Sequence, residues 1–229
     1  MKHVLEVCLI AATLSTTASV AQSESTPALR QGISVQMAKV DSAVPMPAAD
    51  NENAWIVTVT ADGQNYFGVD RLTPAGLEQR MIRTPRQRDQ KLYIKADVRV
   101  PFAIVRETLD AASAAEFQAP VLLVNQGGPV TQGTIVSPKG LEISIDRTAH
   151  SGEHSILELQ RSAQGPLALR MDEQEVALAD LHRRLDQLAR TGKEKTILLR
   201  ADGRYQFGEV ALVIDACSTA GLKVVVATR

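Results

Sequence analysis

The 229-residue chain reads as an α+β protein: two tandem small domains, each a mixed β-sheet with two helices packed on one face. Three observations lead to this class. First, Thr196–Thr228 places two short apolar runs, Thr196–Ala201 and Leu222–Ala227, around a segment in which Phe207, Val210, Val213, Ile214 and Cys217 recur at helical spacing. Such a unit is strand, helix, strand with parallel strands and a right-handed crossover. Second, the chain contains this unit twice. A shift from 97 to 202 superposes Ala96/Ala201, Asp97/Asp202, Arg99/Arg204, Phe102/Phe207, Val105/Val210, Asp110/Asp215, Ala111/Ala216, Ser113/Ser218 and Ala115/Ala220 without a gap. That period is too long for a solenoid repeat, so the whole domain is duplicated. Third, a hairpin pattern and a helix pattern precede each copy of the unit.

In chain order, Met1–Gln22 has the build of a secretory signal peptide. Lys2 and His3 form its positive start and Val4–Leu14 its apolar core, with small residues at Ser19-Val20-Ala21 for cleavage after Ala21. The apolar run falls short of the roughly 20 residues of a membrane span, and retention as an N-terminal anchor is the alternative. The expected division is 1–21 for the leader, 30–126 for domain 1, 127–135 for the linker around Gly127-Gly128-Pro129, and 136–229 for domain 2.

Domain 1 opens with a strand over Ile33–Val40 and a loop from Pro45 to Asn53. Trp55–Thr60 alternates apolar and polar residues, and Asp62-Gly63 turns it into Asn65–Gly68, a hairpin. Thr73 as N-cap and Pro74 at the first helical position open a helix to about Ile82. In domain 2 the strands fall at Leu141–Ile145, Ile156–Gln160 and Leu167–Met171, with a turn at Ala163-Gln164-Gly165. Leu178, Leu181, Leu185 and Leu188 then mark one helical face, which Gly192 ends. Gly221 is placed as the left-handed C′ residue after the last helix.

Composition excludes several functions. Charged residues make up 22% and the net charge is −1; residues 30–127 carry 11 basic and 11 acidic side chains, and residues 128–229 carry 13 of each. Neither half has the basic excess of a nucleic-acid binder, and 3% aromatics leave little for base stacking. The basic stretch from Arg80 to Lys95 reads as a solvated helix end and loop. No G-x-S-x-G, H-E-x-x-H or G-x-x-x-x-G-K-[ST] motif occurs. With Cys8 in the leader, Cys217 is a buried structural thiol.

The stretches WIVTVTADGQNYFGVDRLTPAGLEQRM and, more loosely, ILELQRSAQGPLALRMDEQEVALADLHRRL resemble the hairpin and helix of the periplasmic domain of the ExbD/TolR biopolymer-transport family. The closing unit LLRADGRYQFGEVALVIDACSTAGLKVVVAT is similar to the family's strand–Ala-Asp–helix–Gly–strand ending. The resemblance covers most of 33–126 and 141–229 and implies an ExbD/TolR periplasmic-like fold, dimerisation, and TonB/TolA-like or ExbB/TolQ-like partners. The family's transmembrane aspartate has no counterpart; Glu6 is the only carboxylate of the leader, so the proton-coupled role is not carried over. What the resemblance implies is an exported, non-enzymatic scaffold or binding protein in the periplasm. The alternatives are a peptidoglycan-binding module, suggested by the TolR branch, and a membrane-anchored stator-like subunit.

Site residues follow from position. Asp97 and Asp202 precede the two long helices, where a carboxylate caps the helix or meets a partner. Asp110 and Asp215, within those helices, are expected to face solvent or a basic neighbour. His150, Glu153 and His154 share one loop, but without a distant third ligand they make no metal centre; His182 lies on a polar helix face. No catalytic residue, metal or cofactor is expected. Exposed strand edges offer a partner strand a place to pair.

Overall fold

The computed structural model describes residues 33–87, 89–126, 137–146, 154–161, 167–191 and 195–228. The leader with Ala21, the Gly127-Gly128-Pro129 linker, the Ala163-Gln164-Gly165 turn, Gly192 and residues 150–153 lie outside this description.

Copy 1 builds its central sheet from β3 (Trp55–Val59), β4 (Asn65–Phe67), β5 (Asp70–Leu72), β6 (Leu92–Ala96) and β7 (Val121–Gln126). The order is β7-β6-β3-β4-β5, parallel from β7 to β3 and antiparallel from β3 to β5. Copy 2 repeats it with β10 (Ser155–Arg161), β11 (Leu167–Met171), β12 (Gln174–Val176), β13 (Thr196–Ala201) and β14 (Lys223–Ala227), in the order β14-β13-β10-β11-β12. The helices are α1 (Pro74–Arg83) and α2 (Phe102–Ala114) in copy 1, and α3 (Leu178–Thr191) and α4 (Phe207–Thr219) in copy 2. The α+β class and the mixed sheets are those the sequence predicts.

Local chemistry sets the element ends. Thr73 caps α1 by accepting from Gly76 N at 3.1 Å, with Pro74 next. Gly63, at φ +77°, makes the hairpin turn between β3 and β4. A third strand, β5 or β12, follows each hairpin; Gly68 turns the chain in copy 1, and Asp172 and Glu173, both at positive φ, do so in copy 2.

The inner face of each sheet packs on its helices. Val57, Val59, Ile94 and Leu122 meet Leu77, Met81, Val105 and Leu109 in copy 1; Leu157, Ile197, Leu199 and Val226 meet Leu181, Leu185, Val210 and Ile214 in copy 2. All belong to one continuous buried cluster that runs across both copies. A second cluster lies on copy 1, where Met37, Met46 and Ala49 cover Ile56, Tyr93, Val121 and Leu123 on the outer face.

Two expectations are corrected. The strand predicted over Ile33–Val40 is reduced to β1 (Lys39–Val40), pairing parallel with β7, and β2 (Val44–Pro45) follows it. The strand predicted over Leu141–Ile145 is two strands in two sheets. Lys139–Glu142 (β8) pairs antiparallel with β7 of copy 1 and with β2, while Ser144–Asp146 (β9) pairs parallel with β14 of copy 2. Close approach fixes the first half: a Cβ on Gly140 would stand 2.4 Å from Val121 Cγ1, so only glycine lets β8 lie there. One short stretch of chain thus adds a strand to each sheet.

Candidate functional site

Two equivalent segments of the repeat, Asp97–Ala103 and Asp202–Gly208, meet each other. Each leads from a parallel strand into a long helix, and a helix leaves its first backbone N–H groups without intrahelical acceptors. Here the other copy supplies them. Phe102 N donates to Tyr205 O at 2.7 Å, and Phe207 N donates to Val100 O at 2.8 Å. Ala103 N donates to Gly203 O at 3.0 Å, and Gly208 N donates to Val98 O at 2.9 Å. Under the repeat shift these are two reciprocal pairs, and Pro101 and Gln206, bridged across the centre, are each other's equivalents. Reciprocity of this kind defines an approximate two-fold axis between the copies.

Asp97 and Asp202 stand at the entry to this seam, but they do not cap the helices. Pro101 is the N-cap of α2, and α4 starts from a capping box in which Gln206 N donates to Glu209 Oε2 at 2.9 Å. The aspartates instead hold the turns, each accepting from the backbone N–H two residues on: Arg99 N at 3.1 Å and Arg204 N at 2.9 Å. Asp97, nearly fully buried, also accepts from Arg99 Nε at 2.8 Å, Arg99 Nη2 at 3.0 Å and Gln36 N at 3.1 Å. The Arg99 guanidinium beside it, with these backbone donors, holds its carboxyl below the usual range. Asp202 is more open and accepts from Arg204 Nε at 3.1 Å and Nη2 at 2.5 Å. Both guanidiniums reach outward, most of their side chains in solvent.

Asp215 departs from its expected place. It is buried rather than solvent-facing, because α4 packs against the edge of the other copy's sheet. Its carboxylate accepts from Asp41 N at 2.9 Å, Ser42 N at 3.0 Å and Ser42 Oγ at 2.5 Å. One side chain of copy 2 therefore satisfies the backbone of the loop between β1 and β2. Asp110, its equivalent, is half-buried. Sequence reading missed this latch since the partners lie 173 and 174 residues apart. It missed the seam as well, although Gly203 and Gly208 standing where copy 1 has Val98 and Ala103 was a legible sign.

The remaining residues are bystanders to the seam. Cys217 is buried in the core and burial pushes its thiol up to about 12, so it carries no thiolate. His182 is exposed. Among the described residues no three His, Cys, Asp or Glu side chains gather as metal ligands, and no helix is long and apolar enough to cross a membrane. Lys95 is not a solvated loop cation; it is buried within β6, which pulls its ammonium below the usual lysine range. Arg86 lies 4.1 Å above the Phe117 ring, Arg80 pairs with Asp70, and Lys91 pairs with Glu142.

Comparison with known proteins agrees with the duplication. The model of the family described as biopolymer transport protein ExbD/TolR matches residues 7–127 and, a second time, residues 129–229. No curated protein and no solved structure matches the chain.

Proposed function

Since the chain belongs to the ExbD/TolR biopolymer-transport family, with two family domains in one polypeptide, we propose that it is a non-enzymatic, periplasm-facing scaffold of a Ton- or Tol-type energy-transducing complex. One observation carries this reading: the reciprocal capping of α2 and α4, by which a single chain forms a paired two-domain unit. Its domains are 30–126 and 136–229, with 127–135 as linker, and domain 2 lends β8 to the sheet of domain 1. Asp97 and Asp202 serve the seam, and Arg99 and Arg204 are the groups they leave facing outward. Partners are ExbB/TolQ-like or TonB/TolA-like proteins. The edge strands β5 and β12 each pair on one side among the described residues and suit the addition of a partner strand.

Co-isolation of the tagged full chain from cell envelopes, with the captured proteins identified by mass, tests the proposal. Recovery of proteins of those two kinds is expected; an intact chain that captures neither overturns it.

A second reading has an observation of its own. The first family match begins at residue 7, inside the apolar leader, where family members carry their membrane helix. On that reading the leader is retained and the chain is an anchored, stator-like subunit. Intact mass decides: a chain beginning at Gln22 in the soluble periplasmic fraction supports the exported scaffold, and an uncleaved chain in the membrane fraction supports the anchor.

A further inference from the structure

The four backbone bonds of the seam are the same for any two copies, since backbone carries no identity. The side chains are not the same. At the two contact points copy 2 has Gly203 and Gly208, and copy 1 has Val98 and Ala103 at the equivalent positions. Gly203 faces Ala103: a Cβ built on it would stand 2.7 Å from Ala103 Cβ and 3.2 Å from its Cα. Gly208 faces Val98: a Cβ there would stand 3.2 Å from both Val98 Cβ and Val98 O. Neither glycine has a positive φ, so space rather than backbone conformation requires it.

We propose that this seam sorts the copies by size, admitting copy 1 against copy 2 and refusing copy 1 against copy 1. Pairing two copies of the first kind sets Val98 against Ala103 at both contacts, each with a Cβ where the seam has a hydrogen atom. Carbon atoms do not approach to 2.7 Å, so the segments must separate. Separation lengthens the bond that each Ala103 N would make across the seam and uncaps both helices together. Pairing two copies of the second kind sets glycine against glycine and leaves a gap where Val98 and Ala103 now fill space. Unlike copies fit best, and two further features keep that pairing within one chain. The stretch Lys139–Asp146 runs without interruption from the sheet of copy 1 to the sheet of copy 2. Asp215 of copy 2 grips Asp41 and Ser42 of copy 1. The partner for which the seam is shaped is the other half of the same polypeptide. Chains therefore do not join to one another through their copy 1 seams.

Full-length chain carrying Pro101→Cys and Gln206→Cys reports on the seam. These residues form a non-hydrogen-bonded antiparallel pair, whose Cα atoms stand about 4.5 Å apart, within reach of a disulfide. Oxidation is expected to give a cross-linked monomer on a non-reducing gel. Adding Gly203→Val and Gly208→Ala, which gives copy 2 the side chains of copy 1, is expected to slow cross-linking about tenfold and to lower the midpoint of thermal unfolding. Adding Val98→Gly and Ala103→Gly as well, so that the two copies exchange their contact residues, is expected to recover most of both losses. The proposal is overturned by a double variant that cross-links like its parent, by a fourfold variant no better than the double, or by a disulfide that joins two chains.

Discussion

The two copies share one sheet order and one helix arrangement, yet they treat the outer face of the sheet differently. In copy 1 the segment ahead of β3 folds over it, burying Met37, Met46 and Ala49 against Ile56, Tyr93 and Val121. Thr58 and Lys95, a register pair on that face, are buried with them. The same register pair in copy 2 is Glu158 and Arg200, an ion pair of 3.6 Å that keeps contact with solvent. Among the described residues a covering layer lies over the outer face of copy 1, while in copy 2 Leu198 on that face is buried beside the ion pair. The copies have the same frame but differ in detail: among the described residues copy 1 carries a covered outer face, copy 2 carries the small residues of the seam, and Asp215 of copy 2 grips the loop between β1 and β2.

Comparing equivalent residues puts numbers on that division. The largest difference is expected between Asp215 and Asp110. Asp215→Ala removes the buried carboxylate that holds the Asp41 and Ser42 N–H groups and is expected to cost about 2 kcal/mol in denaturant unfolding; Asp110→Ala, at a half-buried site, is expected to cost less. An equal loss at both positions would show that the latch is not special to copy 2.

Next come Asp97 and Asp202. Asp97→Asn removes a buried charge that holds Arg99 and Gln36 and is expected to cost about 2 kcal/mol, whereas Asp202→Asn on the open turn costs about 0.5 kcal/mol. The Asp97 carboxyl is held below 3.8 in the folded state. Its contribution is therefore complete above that pH and is lost as pH falls through the lower, folded value. Unfolding midpoints of wild type and Asp97→Asn should converge between pH 4 and still lower pH, about where carboxylates protonate. A constant gap across that range would contradict an ionic role.

The smallest effect concerns the ends of α2 and α4. Gly221 ends α4 at φ +76°, and its equivalent after α2 is Glu116 at φ +63°. A left-handed conformation is unfavourable for a residue with a Cβ, so Glu116→Gly is expected to stabilise by about 0.5 to 1 kcal/mol and Gly221→Ala to destabilise by about 1 kcal/mol. Thermal unfolding of both variants measures it. A destabilised Glu116→Gly would mean that the ion pair between Glu116 and Arg86 outweighs the backbone strain.

Much of this architecture was legible in sequence because it is written in short-range periodicity. The duplication, the strand Thr196–Ala201, the hairpin at Asp62-Gly63, the Thr73 cap and the role of Gly221 each depend on residues a few positions apart, where local sterics and hydrogen bonding decide the conformation. Asp97 and Asp202 were found from sequence too, since the Ala-Asp turn recurs in both copies, but their task was misread. A carboxylate a few residues ahead of a helix has the usual position of a cap, and nothing local reveals that the other copy's carbonyls already serve the first helical N–H groups.

Tertiary structure alone decided how the copies face each other, which sheet each half of Lys139–Asp146 joins, and that Asp215 is buried. Each is a choice among partners far apart in the chain. An edge strand accepts any extended segment and a helix N-terminus accepts any well-placed carbonyl, so the backbone groups do not name their partners. The choice falls to fit: glycine at 140, 203 and 208 leaves room for one neighbour at each position, and that room exists only once both copies have folded.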